Sequence, residues 1–437
     1  MPDIKNKVYG FLKKHGMDAE SVDLDKNCRI FMEEMQRGLD GYASLLMLPT
    51  YIRMDKDILP MEPVVAVDAG GTNFRVAVIH FNKNNEPVIE DFRLHPMPGT
   101  NGEISKDEFF ETVAGYILPL VHRSGKIGFC FSYPAEIMPD GDSRIIKFSK
   151  EVKVTGAVGE MLGKSLFKAL EKLGCRDKKR IIVLNDTVAT LLAGKAASPG
   201  RQFDSYIGYI LGTGTNMCYA EECRNIGKIS CLAGSDGLML INVESGGYDK
   251  APRGQIDLEF DSTTANPGEY VFEKAISGAY QGGLTLEVIR KACSDGVFSM
   301  AFSSEIASVS GLEAREVDEF LFYPYGSNKL AVCCNKSGLE EDRIALFYLI
   351  DNIFERIAKF VAFSLTAVLE KTGKGRNPCK PACITADGST FYKSKLFRSK
   401  LEHYIKIYTN EEKGVYCEFV KVDNGTLIGA AIAGLLN

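Results

Sequence analysis

Two stretches of this chain decide how it folds: Val65-Ala-Val-Asp68-Ala-Gly70-Gly71-Thr72-Asn73-Phe-Arg75-Val-Ala-Val78 and Ile207-Gly-Tyr-Ile-Leu211-Gly212-Thr213-Gly214-Thr215-Asn216-Met-Cys-Tyr-Ala220. Each is an apolar run, a short turn of Gly, Thr and Asn, and a second apolar run, which reads as strand, turn, strand. The two lie about 140 residues apart, a weak internal repeat at the places where chemistry would sit. Strands mixed with helices elsewhere predict an α/β protein built from two related halves.

Around these units the pattern is plain. Residues 27–47 read as a helix with Ile30, Phe31, Met35 and Leu39 on one side, followed by a turn signal at Pro49. Ile127–Ser132 is a short apolar run ended by Tyr133-Pro134, and Met161–Leu173 has helical spacing up to Gly174. Ile181–Leu184 is a buried-strand candidate that runs into Asn185-Asp186-Thr187 and a helical Val188–Leu192. Ala345–Lys371 is a long amphipathic helix stopped by Gly373, with a polar loop over Lys374–Pro381.

Composition narrows the function. The chain has 437 residues, enough for two or three domains and a core that needs no disulfide or metal staple. Lys plus Arg is 52 against 57 Asp plus Glu, a net charge of −5, so no basic surplus exists for a nucleic-acid partner. No uncharged apolar run approaches the roughly 20 residues that span a bilayer. Met1–Gly16 carries Asp3 and no apolar region of the secretory kind. The 12 cysteines include no C-x-x-C pair, and the five histidines show no catalytic pairing. Reduced thiols in a cytoplasmic protein are the expectation.

The turns could carry chemistry. Gly70 and Gly71 permit close backbone approach, and successive N–H groups with the Thr72 hydroxyl can surround phosphate oxygens. Asp68 could hold Mg²⁺, and Arg75 could offset phosphate charge. The other reading is a tight hairpin that needs glycine for its geometry. The second turn, Gly212-Thr213-Gly214, lets two hairpins grip a nucleotide from opposite sides of a cleft, although neither has P-loop or G-x-G-x-x-G spacing. Asp186 follows a strand end, where α/β sheets put their ligands, and could take a proton from an attacking hydroxyl; it could equally cap the next helix. Taken singly, Ser149-Lys150 could be a plain turn and Glu244 and Glu273 solvated carboxylates, but grouped with asparagines they suit a polyhydroxyl ligand.

These residues resemble the eukaryotic-type hexokinase and glucokinase family. Asp68–Arg75, Asn185-Asp186-Thr187-Val188 and Leu211–Asn216 match its signature, and Met47-Leu48-Pro49-Thr50-Tyr51, Phe131-Ser132-Tyr133-Pro134, Asn266-Pro267-Gly268, Phe272-Glu273-Lys274 and Ala386-Asp387-Gly388-Ser389 follow in the family's order. The resemblance implies a two-lobed actin-like ATPase fold of the ribonuclease H type, with a cleft between a small lobe (63–205 plus 424–437) and a large lobe (1–62 plus 206–423). It implies Asp186 as the base at the sugar C6 hydroxyl, with Lys150 and Arg75 also catalytic. Ser132, Ser149, Lys150, Asn185, Asn216, Glu244 and Glu273 would line the hexose pocket. Gly70, Gly71, Thr72, Asn73 and Arg75 would form one phosphate turn, and Gly212, Thr213 and Gly214 the other. Asp387, Gly388, Ser389 and Gly425 would lie near the adenosine, and Asp68 would act on Mg²⁺ through water.

The implied activity is transfer of the γ-phosphate of ATP to a hexose, glucose first, by a monomer or homodimer acting on small molecules alone. The departures gather around the sugar: Phe148-Ser149-Lys150-Glu151-Val152 where the family has W-T-K-G-F, Glu244-Ser245-Gly246 for E-W-G, Ala189 for Gly, and Ile428 for a residue commonly basic. They put the preferred hexose in question and keep open an alternative, a sugar-binding regulator with weak turnover. A cytoskeletal or chaperone ATPase of the same superfamily is a third reading, which the sugar-side residues oppose.

Overall fold

The computed structural model describes residues 2–53, 59–148, 152–196, 200–232 and 234–437. After strand β1 (Leu48–Arg53), the chain forms one sheet from β2 (Val64–Ala69), β3 (Asn73–Phe81), β4 (Pro87–Pro96), β5 (Lys126–Phe131) and β6 (Arg180–Leu184). It then returns to the sheet of β1 through β7 (Ser205–Leu211), β8 (Thr215–Glu222), β9 (Leu238–Asn242), β10 (Ala382–Asp387) and β11 (Cys417–Val420).

The two sheets repeat one plan. The first runs β6-β5-β2-β3-β4 and the second β11-β10-β7-β8-β9, with β1 added at its edge. In each, an antiparallel hairpin (β2–β3, β7–β8) is flanked by parallel strands on one side. Both hairpin turns close on themselves: the Gly70 N–H donates to Asn73 O at 3.0 Å and the Gly212 N–H to Gly214 O at 2.9 Å. Strand β2 is buried along its whole length, which is why Val64–Ala69 reads as a continuous apolar run up to Asp68.

Two apolar helices fill the space between the sheets: Asp186–Ala196 and the C-terminal Gly425–Leu436. They approach so closely that a Cβ on Gly429 would sit 1.9 Å from Ala189 O, and one on Gly128 of β5 would sit 1.8 Å from Ala430 O. Only glycine fits there. Among the described residues no helix is long and apolar enough to cross a membrane, and none of the cysteines is disulfide-bonded.

The second half holds the larger core. Helix Leu24–Leu39 packs Phe31 and Met35 into it, together with the 33-residue helix Glu340–Thr372, which Gly373 ends in the left-handed conformation. Three expectations need correcting. The first helix stops at Leu39, not at residue 47, because the chain doubles back over Gly38, whose Cβ would meet Leu45 O at 2.2 Å. Pro49 is not a turn residue but lies in β1 opposite Ile241; β1 is an edge strand, where a missing N–H is tolerated. The N-terminal Pro2–Lys14, given no element from sequence, is a helix whose Val8 and Leu12 are fully buried.

Candidate active site

Both glycine turns open on one cavity of about 550 Å³ between the sheets. Gly71 and Thr72 come from the first turn, Thr213 and Gly214 from the second, so the two predicted phosphate turns do face each other. A Cβ on Gly71 would meet nothing within 4 Å, so this backbone is open to the cleft. Asn73 Nδ2 donates to Thr72 Oγ1 at 3.2 Å, and the Tyr133 hydroxyl donates to Gly70 O at 2.7 Å, bracing the first turn from beneath. The second turn rests on a helix start: the Gly278 N–H donates to Gly212 O at 2.8 Å and Thr390 Oγ1 to the same oxygen at 2.9 Å.

Asp387 ends β10, and Gly388 and Ser389 follow it against this turn. A Cβ on Gly212 would lie 3.4 Å from Gly388 Cα. Gly388 itself has φ +113°, and a Cβ there would strike Leu211 O at 2.2 Å. Asp387 accepts from the Gly388 N–H at 2.7 Å.

Asp68 is buried at the end of β2. Its Oδ2 accepts from Arg75 Nη1 at 2.7 Å and from Thr426 Oγ1 at 2.8 Å, so Gly425-Thr426 at the head of the C-terminal helix is tied to the first turn. Among the described residues no group of three or more His, Cys, Asp or Glu could hold a metal ion.

Asp186 is the first residue of its helix. Asn185 performs the capping, with Oδ1 accepting the Thr187 N–H at 2.9 Å, while Asp186 Oδ1 accepts the same N–H at 2.8 Å and the side chain lines the cavity. Burial pushes its pKa up from 3.8 to about 6, opposed by the Thr187 N–H and reinforced by the charges of Asp68 and Glu244. Such a carboxylate is ionised at neutral pH and still a useful base.

Across the cavity stand Asn216, Glu244 and Glu273, and Ser132 lines it too. Glu273 Oε2 accepts the Thr215 N–H at 3.0 Å. Glu244 sits in the left-handed conformation, φ +58°, held by Asn242 Nδ2 at 2.7 Å and Asn216 Nδ2 at 3.2 Å. Burial raises its pKa, and those two amides pull the other way. Strained backbone of this kind clusters at functional sites. Ser149 and Lys150 fall outside the described residues.

Several contributors escaped the sequence reading. Asn242 ends an apolar strand two residues before Glu244, and Thr426 follows Gly425; a polar side chain closing an apolar run was the available signal. Tyr133 and Thr390 had none, because each acts through backbone carbonyls far away in the chain.

A duplicated five-strand plan with a glycine hairpin from each half turned into one cleft defines the two-lobed actin-like ATPase fold. Solved structures agree: a hexokinase from Schistosoma mansoni complexed with glucose superposes over 99% of both chains with a TM-score of 0.77 at 21% identity. A second hexokinase structure gives a TM-score of 0.78 over the whole of both chains, also at 21% identity.

Two family models, both described as hexokinase, match residues 11–196 and 206–436, and the chain belongs to the hexokinase family. It is 29% identical over 427 residues to human hexokinase-2, covering 92% of this chain and 45% of that protein. It is 29% identical over 470 residues to hexokinase-5 of Oryza sativa subsp. japonica, covering 98% of this chain and 89% of that one. The chain therefore spans under half the length of the mammalian relatives and nearly all of the rice protein.

Proposed function

We propose that the chain transfers the γ-phosphate of ATP to the C6 hydroxyl of a hexose, with glucose the first substrate, giving hexose 6-phosphate and ADP. The observation that carries this reading is Asp186, held at a strand end on the cavity with its pKa raised to about 6, facing Glu244 and Glu273. A hydroxyl attacking a phosphoryl group needs positioning, charge compensation and a base more than covalent chemistry.

Asp186 takes the proton of the hexose hydroxyl. Asn185, Asn216, Glu244, Glu273 and Ser132, with Ser149 and Lys150, hold the remaining hydroxyls; each carboxylate can accept two hydrogen bonds and each amide both donates and accepts. The backbone of Gly70–Asn73 and of Gly212–Gly214 grips the phosphates, with Arg75 and Lys150 offsetting their charge. Asp387, Gly388, Ser389 and Gly425 border the adenosine. Bound magnesium would neutralise phosphate charge; it suits this site as an ion that arrives on the nucleotide and is held through water by the single carboxylate of Asp68.

Residues 63–205 with 424–437 form the small lobe and move against 1–62 with 206–423. Closure expels water, which would otherwise compete with the sugar as acceptor. The protein works in the cytoplasm, in carbohydrate breakdown, as a monomer or homodimer. The test is product formation with Mg-ATP across glucose, fructose, mannose, galactose and N-acetylglucosamine, with Asp186→Asn as control. Turnover that the variant loses is expected. Silence across the panel from folded, sugar-binding protein would overturn the transferase reading in favour of a regulator.

A further inference from the structure

A turn that grips phosphate must aim its backbone N–H groups at the ligand, and two adjacent glycines cannot do that unaided. Gly70 and Gly71 carry no Cβ to narrow their dihedral angles, and a Cβ on Gly71 would meet nothing within 4 Å. Side-chain packing therefore does not hold this backbone. Hydrogen bonds must fix which way its peptide planes face.

The Tyr133 hydroxyl lies beneath the turn, donating to Gly70 O at 2.7 Å with Gly71 O 3.3 Å away. The Met97 N–H donates to the next carbonyl, Thr72 O, at 3.0 Å. Three successive carbonyls are thus drawn toward the protein. A trans peptide is planar, with its C=O and N–H pointing in opposite directions. Holding Gly70 O and Gly71 O from beneath therefore turns the Gly71 and Thr72 N–H groups the other way, toward the cavity that these two residues line. Among the described residues no backbone carbonyl accepts either N–H. Adjacent donors left open on a turn make a cradle for an anion.

Tyr133 is built to hold that setting. It is 3% exposed, and its ring centroid lies 5.0 Å from that of Phe131 and 5.3 Å from that of Phe148. The residue before it is tied to β2, the Ser132 N–H donating to Ala69 O at 3.2 Å. Ring and backbone are both fixed, so the hydroxyl is a fixed point for the glycines to lean on. Its one proton is engaged by carbonyls, so it acts on a phosphate through the peptides it holds.

We infer that Tyr133 is a positioning residue for phosphoryl transfer: its hydroxyl sets the Gly70–Gly71 and Gly71–Thr72 peptides so that their N–H groups meet the phosphate oxygens of the nucleotide. The inference rests on the reading of Gly70–Asn73 as a phosphate turn. Without the hydroxyl the cradle is formed in only a fraction of molecules, and the apparent dissociation constant rises by the inverse of that fraction. A neutral hydrogen bond of ordinary strength corresponds to a weakening of about 3- to 10-fold. The effect runs through peptide orientation, so it falls on the phosphates and spares the hexose and the adenosine.

The experiment is Tyr133→Phe, which removes one oxygen and keeps the ring contacts. Calorimetry with the β,γ-imido analogue of ATP and magnesium should show binding weaker by about 3- to 10-fold. AMP and glucose should bind as they do to the unaltered protein, within about twofold, and in steady-state assays the KM for ATP should rise while that for the hexose does not. A merely structural loss would weaken all three ligands together. An unchanged affinity for the analogue would overturn the inference, and so would AMP or glucose weakened as much as the analogue. Unaltered protein that binds AMP as tightly as the analogue gains nothing from its glycine turns, and that result removes the phosphate-turn reading itself.

Discussion

Asp186→Asn should make this protein more stable while nearly abolishing its turnover. The folded protein holds the carboxyl at a pKa of about 6 against an ordinary 3.8, mainly because burial penalises the charge. A gap of about two pH units at 1.36 kcal/mol each corresponds to about 3 kcal/mol of native-state cost at neutral pH. Asparagine removes that charge and keeps the oxygen that accepts the Thr187 N–H.

The sign follows from protonation. Below about pH 4 the carboxyl is protonated in both folded and unfolded wild type, so the cost is absent. Between about pH 4 and 6 the unfolded chain has lost the proton and the folded one keeps it, so wild-type stability falls as pH rises; above about 6 the penalty is complete. Urea unfolding of the sugar-free proteins should show the Asn variant ahead by about 1 kcal/mol at pH 4.5 and about 3 kcal/mol at pH 7.5. Its turnover should be lower by about 10²–10⁴. A gap that does not change with pH, or a variant less stable at pH 7.5, would refute the reasoning and make Asp186 a structural cap.

The same pKa predicts that wild-type kcat/KM for the hexose falls about tenfold per pH unit below about pH 6, measured as product formation at hexose well below KM and saturating ATP. Asn242→Leu should raise the hexose KM by about 10- to 100-fold through loss of a charged hydrogen bond to Glu244, with a smaller effect on kcat in steady-state assays. Arg356 and Asp257 form a buried ion pair between the long helix and the 255–263 helix. Arg356→Met should destabilise by about 3–5 kcal/mol in urea, and adding Asp257→Leu should recover most of it. Gly128→Ala, whose new carbon would overlap Ala430 O, should cost at least about 3 kcal/mol or prevent folding, read as soluble yield and unfolding midpoint.

Much of this was legible in one dimension. A hairpin carries its geometry in its own glycines, so the turns at 70–72 and 212–214 could be found without neighbours. Asp186 announced itself by following the apolar Ile181–Leu184. The end of the first helix was not legible, because what stops it is Leu45 folding back on Gly38. Pro49 misled because a proline in an edge strand and a proline in a turn look alike until the pairing with Ile241 is known. The N-terminal helix was passed over because its burial comes from surfaces far along the chain.

The sequence by itself determined the duplicated α/β plan, both glycine turns and the identity of the carboxylates, since those depend on residues within a few positions of one another. Only the tertiary structure decided that Thr426 reaches Asp68, that Asn242 holds Glu244 and that burial raises the pKa of Asp186. Each of these follows from side chains or backbone brought together by packing: a pKa depends on what excludes water, and a cavity exists only between surfaces.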